Sequence, residues 1–263
     1  MQIHRSRSFP TMASRDEIVA FCDQLLEIES FEDYGPNGMQ VPGAAEVSKV
    51  ATGVSANLAF IEGSVESGAQ LAIAHHGLFW GGEPQALSEQ MAERLRALLT
   101  AQLSLCAYHL PLDAHRELGN NALLCEGLGF EQDGVFSEIK GRQIGIVGRN
   151  PDGHEAAELG RRVAELVGRE PLRFDNGPDR VRSIGIVSGG ASGQIREAIA
   201  LGLDAFLTGE PSEPAMADAR EGAIHFIAAG HYATETFGVR RLGETVAERF
   251  GVEHEFVDVP NPI

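Results

Sequence analysis

Short apolar runs alternate with helix-like stretches along most of this 263-residue chain. In the first half, the apolar runs at 50–54, 71–74 and 103–108 predict strands. Between them, the patterns at 57–67 and 88–102 predict helices. Strands that alternate with helices in this way are typical of βαβ units and of a mostly parallel sheet.

An amphipathic helix is predicted near the start of the chain. Ser14 and Glu17 have the spacing of a capping box, and apolar residues follow at helical spacing from Ile18 onward. The preceding segment, residues 1–13, is basic and serine-rich and lacks an apolar stretch of signal-peptide length. We expect this segment to be a disordered extension, with Met12 as an alternative start.

The second half of the chain repeats the order of the first. Residues 184–187, 205–207 and 224–228 predict strands, and residues 194–201 predict a helix. Residues 143–174 have the pattern of a strand, a helix and a strand that connect the two halves. No low-complexity segment separates the halves, so they are expected to pack as one unit.

We therefore predict an α/β fold with two similar, interlocked lobes, mostly parallel sheets and a metal site between the lobes. Residues 14–263 would form a single two-lobed domain. Lobe one would comprise about 14–130 plus the C-terminus, and lobe two about 131–250.

Histidines and carboxylates follow three of the predicted strands: His75 with His76, His109 with Asp113, and His231 with Glu235. Ligands in open α/β sheets bind at the carboxyl ends of strands. Neutral imidazole suits zinc, iron, nickel or copper, and carboxylates bridge ions or suit manganese and magnesium. A single histidine after a strand is usually a capping or packing residue, but three clusters in matched positions favour a metalloprotein.

Five of these side chains are predicted metal ligands: His75, His76, Asp113, His231 and Glu235. Either carboxylate could bridge two ions about 3.5–4 Å apart. His231 and Glu235 would share one helix face if a helix begins at the Gly230 turn. Mixed ligands with few thiols suit a dinuclear hydrolytic centre, with two divalent ions per chain, better than a closed structural zinc site. They do not distinguish between Zn, Fe, Mn, Ni and Mg.

Two neighbouring residues keep alternative roles at this stage. His109 is a candidate proton shuttle, a sixth ligand, a donor that orients Asp113, or a histidine that simply packs beside Pro111. Glu210 follows an equivalent strand in the second half. It is either a carboxylate that supports the ligands or an ordinary acidic loop residue.

The glycine-rich turn at 188–193 leads from a strand to a helix and could bind a phosphate through backbone amides. It matches no nucleotide-binding glycine pattern, so a structural turn is the more common explanation. His115 is expected to cap or face solvent, and His225 to lie in the core. No nucleophile elbow or Cys-His pair is present, so catalysis is expected to use metal-activated water.

The charge balance argues against several classes of partner. Asp and Glu number 38 against 21 Lys and Arg, which gives a net charge of −17, whereas nucleic acids and anionic lipids require a basic surface. No apolar run approaches the roughly 20 residues of a membrane span. The three cysteines lie in apolar contexts without CxxC spacing, which predicts reduced, buried thiols. We therefore expect a cytoplasmic protein that binds neither nucleic acid nor membrane.

Four segments of the chain resemble one known family: YGPNGMQV at 34–41, AHHGLFW at 74–80, YHLPLDAH at 108–115 and AGHYATE at 229–235. These segments are similar to those of the GTP cyclohydrolase I type 2 homologues, the Nif-three-like dinuclear-metal family. The short, undivided chain resembles the YbgI-type bacterial branch. The similarity runs from about Arg15 to Val259. Many members have proline in place of Gly77, a departure that touches a turn rather than a ligand.

The resemblance implies a two-lobed α/β fold, a pair of metal ions in each subunit and a ring-shaped homohexamer. By position, the family's ligands fall on the same five residues: His75, His76, Asp113, His231 and Glu235. The inserted middle domain of longer members is missing from this chain, so nothing is inferred from it.

Three functions are compatible with these observations. The first is a metal-dependent hydrolase that acts on GTP or another nucleotide-like small molecule. The second is a metal-handling or metal-delivery protein that binds and releases ions without turnover. The third is a ring-shaped scaffold that recruits protein partners.

Overall fold

The computed structural model describes residues 12–82, 84 and 86–263. Within them the strands are β1 (Ala13–Ser14), β2 (Gly38–Val41), β3 (Glu46–Val47), β4 (Lys49–Ser55), β5 (Leu71–His76), β6 (Ser104–Ala107), β7 (Glu131–Ile139), β8 (Arg142–Glu155), β9 (Leu172–Phe174), β10 (Arg180–Val187), β11 (Ala205–Thr208), β12 (His225–Ala228) and β13 (Glu253–Phe256). The helices are α1 (Arg15–Leu25), α2 (Leu58–Glu66), α3 (Glu89–Ala101), α4 (Leu110–Ala114), α5 (Asn120–Gly127), α6 (Ala156–Val167), α7 (Ile195–Ala200), α8 (Ala215–Glu221) and α9 (His231–Phe250).

Two mixed sheets form the framework. The five-stranded sheet has the order β13-β4-β5-β6-β2, and the six-stranded sheet has the order β7-β8-β10-β11-β12-β9. Strands β13, β4, β5 and β6 run parallel in the first sheet, as do β10, β11 and β12 in the second. The predicted α/β fold is confirmed, with parallel strands at the centre of each sheet and antiparallel strands at one edge of the five-stranded sheet and at both edges of the six-stranded sheet.

Polar side chains begin the predicted helices of the first half. Ser14, Asn57 and Ser88 each accept a hydrogen bond from the backbone N–H of the third residue along, at 3.4, 2.9 and 3.2 Å. These contacts satisfy amides that have no partner within the helix itself. The strands and helices predicted in both halves lie within a few residues of the observed ones.

The hairpin of β7 and β8 was predicted only in its second arm, from residue 143 onward. Most of β7 is exposed and polar, and only Phe136 and Ser137 of this strand are buried. A strand that faces solvent along most of its length gives a weak hydrophobic signal, which explains the omission.

The long helix α9 packs against the five-stranded sheet. Val239, Leu242 and Val246 are fully buried in a cluster with Val50 and Ile73 from β4 and β5. Their spacing places them on one face of the helix. Sequence analysis assigned residues up to 250 to the second lobe, but the structure places this helix on the sheet of the first. An amphipathic pattern shows that a face is buried, not which sheet covers it.

The predicted N-terminal extension lies mostly outside the described residues, since residues 1–11 are not among them. Ala13, its last predicted residue, belongs to β1 and pairs with Val47 in a two-stranded antiparallel ladder. Among the helices that the structure describes, none is long and apolar enough to cross a membrane.

Candidate metal centre

The strand β5 delivers the first two predicted ligands. Sequence analysis predicted that the strand ends at residue 74, but it continues through both His75 and His76. Successive residues of a strand point to opposite faces, yet the two rings lie only 4.7 Å apart between centroids. His75 is fully buried, and His76 is partly exposed. The strand end therefore presents two imidazoles to one region.

Short helical segments deliver the other ligands. Asp113 lies on the single-turn helix α4, which begins directly after His109. Glu235 lies one turn after His231 on α9, and this helix begins at His231, directly after Gly230, as predicted. The i, i+4 spacing places His231 and Glu235 on one face.

The five predicted ligands meet around the carboxylate of Glu235. His75 Nε2 lies 3.5 Å from both Glu235 Oε1 and Asp113 Oδ2. On the other oxygen, Glu235 Oε2 lies 3.2 Å from His76 Nε2 and 3.1 Å from His231 Nε2. Two groups of donor atoms therefore share this carboxylate, one on each oxygen.

Every histidine of the site makes a hydrogen bond through Nδ1. The Nδ1 partners are the Tyr108 carbonyl for His75 at 2.9 Å, the Ser55 hydroxyl for His76 at 3.2 Å, Asp33 for His109 at 2.7 Å and Glu210 for His231. A carbonyl only accepts, so Nδ1 of His75 carries a proton, and in the neutral ring Nε2 presents its lone pair to the two carboxylates. The repulsion between that lone pair and the carboxylates is relieved either by a proton on Nε2 or by a cation bound between them.

Two buried atoms support a cation at this position. His75 Nε2 and Glu235 Oε2 are buried, and neither makes a hydrogen bond of acceptable angle with the described residues, although imidazole nitrogens lie within 3.2 Å of Glu235 Oε2. Buried polar atoms without partners are rare in native proteins, and a metal ion bound here would give both atoms a partner. The mixture of imidazole and carboxylate donors is also the one that divalent transition metals prefer. The residues present therefore fit a metal site.

Charge coupling within the site changes the pKa values of its members. Burial lowers the pKa of His75, but the carboxylates of Asp113 and Glu235 outweigh it and raise the pKa to about 9. Burial likewise lowers the pKa of His231, but Glu235 and Glu210 raise it to about 9. Burial raises the pKa of Glu235, whereas His76 and His75 hold it well below its usual range. Protons on imidazoles thus balance the buried carboxylates here, a role that a divalent cation could take over.

Asp33 was not among the residues predicted to form the site. Its carboxylate accepts hydrogen bonds from His109 Nδ1, from the Asn37 side chain and from the backbone N–H of Leu110. Burial raises the pKa of Asp33, but the bond from His109 and those from other donors lower it below its usual value. A charged Asp33 therefore fixes the orientation of the His109 ring. The Asp-x-x-x-Asn spacing was the available signal.

Asp113 is positioned by a buried polar network. Its Oδ1 accepts a hydrogen bond from Asn120 Nδ2 at 2.8 Å and one from the Ser188 hydroxyl at 3.1 Å. Asn120 also accepts the backbone N–H of Gly238 on α9 at 2.7 Å. One oxygen of Asp113 is thus used for positioning, and Oδ2 is left to face His75.

The residues with open roles can now be placed. Glu210 bonds His231 and therefore supports a predicted ligand. His109 lies beside His75 and His76, with ligand atoms within 4.8 Å of one another. His115 accepts backbone N–H groups at the end of α4, a capping role, and His225 is buried in β12, as expected.

The turn at 188–193 has a structural role, and several of the backbone amides that a phosphate would need are already bonded. Three of its backbone N–H groups are taken by side chains, since those of Ser188, Gly189 and Ala191 donate to Asn121, Thr234 and Thr208. Gly189 has a φ of +65°, and a Cβ at this position would lie 2.3 Å from Glu235 Oε1. The turn therefore packs directly against the carboxylate of the candidate centre.

A cavity of about 650 Å³ opens beside the centre. Its wall includes the predicted ligands His76, Asp113, His231 and Glu235, and also His109. Its volume is within the range of small-molecule sites. The candidate centre is thus accessible to a small molecule from one side.

A family model described as Duf34/NIF3 (NGG1p interacting factor 3) matches residues 13–262. The chain belongs to this family. The recognition made from the four sequence segments is therefore confirmed.

Relatives within the family are similar over nearly their whole length. A GTP cyclohydrolase 1 type 2 homolog from Pseudomonas aeruginosa is 44% identical over 93% of this chain and 97% of its own. The homolog of that name from Vibrio cholerae is 39% identical, over 94% and 98%. A solved structure described as "Structural genomics, protein ybgI, unknown function" has a TM-score of 0.89 and 39% identity, over 95% of this chain and 100% of that one.

Gly189→Ala is expected to disturb the candidate centre. The new Cβ would meet Glu235, and the left-handed backbone alone costs about 1–2 kcal/mol for a residue other than glycine. We expect lower metal content after reconstitution and a lower free energy of unfolding, measured by elemental analysis and denaturant titration. Gly193→Ala is the matched control, because a Cβ there meets nothing within 4 Å. Equal metal content in the two variants would contradict the proposed packing.

Proposed function

We propose that this protein binds two divalent metal ions and uses them to hydrolyse a nucleotide-like or related small molecule. The main support is the orientation of the histidines. His75, His76 and His231 are each held through Nδ1, so their Nε2 atoms all face the buried carboxylate of Glu235. The names of the curated relatives, GTP cyclohydrolase 1 type 2 homolog, support a nucleotide-like substrate.

The proposed ligands divide into two sets that share Glu235. His75, Asp113 and Glu235 Oε1 would hold one ion, and His76, His231 and Glu235 Oε2 would hold the other. When bound, such ions supply Lewis acidity and lower the pKa of bound water towards about 7. The types of ligand leave Zn, Fe, Mn, Ni and Mg as candidates.

His109 is the proposed proton shuttle. It lines the cavity, is partly exposed, and is held at Nδ1 by the charged carboxylate of Asp33. This contact fixes the ring and leaves Nε2 able to accept or donate a proton.

Removal and return of metal provides the first test. A chelator should abolish hydrolysis in a panel that includes GTP and nucleoside monophosphates, and one of the candidate ions, restored alone, should recover it. The melting temperature should fall by mass action without outright unfolding, since the two sheets have extensive apolar cores.

The same experiment distinguishes a hydrolase from a metal-handling protein and from a protein with a structural metal site. Metal that binds stoichiometrically and exchanges readily, with no hydrolysis of any compound in the panel, would contradict the hydrolase and favour the metal-handling alternative. Complete unfolding on chelation at room temperature would instead indicate a structural metal site.

Glu235→Ala tests the sharing of one carboxylate by two ions. Removal of both oxygens should lower the occupancy of both ions together, measured by elemental analysis after reconstitution. Glu235→Gln keeps the shape of the side chain and serves if the alanine variant folds poorly. Glu244→Ala removes an exposed carboxylate from the same helix and should retain two ions. A full complement of two ions in Glu235→Ala would contradict the bridging assignment.

We also propose that six copies assemble into a closed ring. Three exposed apolar side chains on or beside α2 and α3 support association: Val65 at 39%, Leu87 at 61% and Leu99 at 59% exposure. Closed symmetry buries such surfaces without open-ended growth. A cytoplasmic location is the accompanying proposal, supported by Cys22, Cys106 and Cys125, which are all free and buried thiols.

Light scattering after size exclusion measures the assembly. The net charge of −17 per chain opposes association, so the ring should persist or tighten as salt screens the repulsion. The expected mass is six times that of the 28.2 kDa chain. A monomer at micromolar concentration in both low and high salt would contradict the ring.

A further inference from the structure

The mouth of the cavity carries aromatic and cationic side chains that the candidate metal centre does not require. The Trp80 ring lies against His76 and His109, with centroids 5.8 and 5.3 Å apart. Tyr34 lies 6.2 Å from the His109 ring and is 48% exposed. Arg94 is the only Lys or Arg among the described residues that line this cavity. An apolar wall and a cation thus lie beside the proposed reaction site.

Backbone contacts hold the two aromatic residues in place. The Gly81 N–H donates to the Tyr34 carbonyl at 2.6 Å. A Cβ on Gly35 would lie 2.3 Å from the Phe79 carbonyl oxygen, so the two loops approach as closely as glycine allows. The Gln40 side chain adds a hydrogen bond to each loop, both at 2.8 Å. The aromatic surface is therefore formed before any ligand arrives, which lowers the cost of binding.

A second cation lies beside Tyr34. Lys140, in the turn between β7 and β8, places its Nζ 4.8 Å from the Tyr34 ring centroid. One cation thus lines the cavity and another lies over Tyr34, in a chain whose net charge is −17. Local cations in an acidic protein concentrate anions at one place rather than over the whole surface.

We propose that Tyr34, Trp80 and Arg94 form the recognition site for a planar aromatic molecule that carries a phosphate or carboxylate group. Aromatic faces bind planar rings by stacking, and a guanidinium binds either anion through two parallel hydrogen bonds. The inference deepens the proposed function, since the bound molecule would be the hydrolysed substrate. Binding itself requires no turnover, so the two proposals can fail separately.

The chain offers a direct readout of this site, because Trp80 is its only tryptophan. The zinc-loaded protein would be titrated with GMP, orotate, guanosine and inorganic phosphate while tryptophan fluorescence is recorded. GMP and orotate distinguish a phosphate from a carboxylate. At least one of these two should change the emission and bind about tenfold more tightly than guanosine or phosphate alone. Equal or absent binding of all four compounds would overturn the proposal.

The anion of the ligand could bind either to Arg94 or directly to the metal ions. Variants of two arginines on α3 distinguish these possibilities. Arg94→Gln should weaken the anionic ligand about tenfold and leave guanosine unchanged. Arg96→Gln is the matched control, because Arg96 lies two residues along on α3 and lines the groove against α2 instead. Tyr34→Leu should weaken every ring-bearing ligand and keeps the fluorescent reporter. Wild-type affinity in Arg94→Gln would overturn the assignment, whereas tight binding without hydrolysis would contradict only the hydrolase.

Discussion

The carboxylate of Glu235 is the group on which the candidate centre depends. It is 2% exposed, and a buried charge costs several kcal/mol unless opposite charge and hydrogen bonds compensate it. The compensation comes from His75 and His76 at the end of β5 and from His231 one turn earlier on α9. Because all three rings converge on one carboxylate, the end of β5 and the start of α9 are fixed to each other. The two sheets are therefore joined at the point where the chemistry is proposed.

Helix α9 makes this junction possible. It starts after a two-residue turn that follows β12, a strand of the six-stranded sheet, and then packs Val239, Leu242 and Val246 against the five-stranded sheet. The chain thus carries Glu235 from the strand ends of one sheet to a position clamped by the core of the other. Asn120 reinforces the crossing, since it bonds both Asp113 and the backbone of this helix. A change in the packing of α9 would move ligands on both sides of the site.

Sequence patterns were informative where a periodic rule applied. Strand ends that share an edge, and a helix with His231 and Glu235 four residues apart, predicted which side chains the structure brings together. The rule failed where loop paths decide the contacts. Nothing periodic relates Asp33 to His109, which lies 76 residues away, or places Trp80 beside that ring. The sheet that covers α9 was likewise not predictable, because an amphipathic face does not identify its partner.

The hydrogen bonds that hold each histidine through Nδ1 help to distinguish a catalytic site from a metal-delivery site. Each ring is anchored by a different group. The anchors are the Tyr108 carbonyl after β6, the Ser55 hydroxyl, Asp33 in a loop and Glu210 after β11. Glu210 helps to raise the pKa of His231, and all four anchors fix the direction of the ring that they hold. Because these anchors are already in place, the proposed binding of ions would require little ordering of the rings. A delivery site must release its cargo, so rings that are each held by an anchor are better suited to the proposed resident ions, which would serve a reaction in the adjoining cavity.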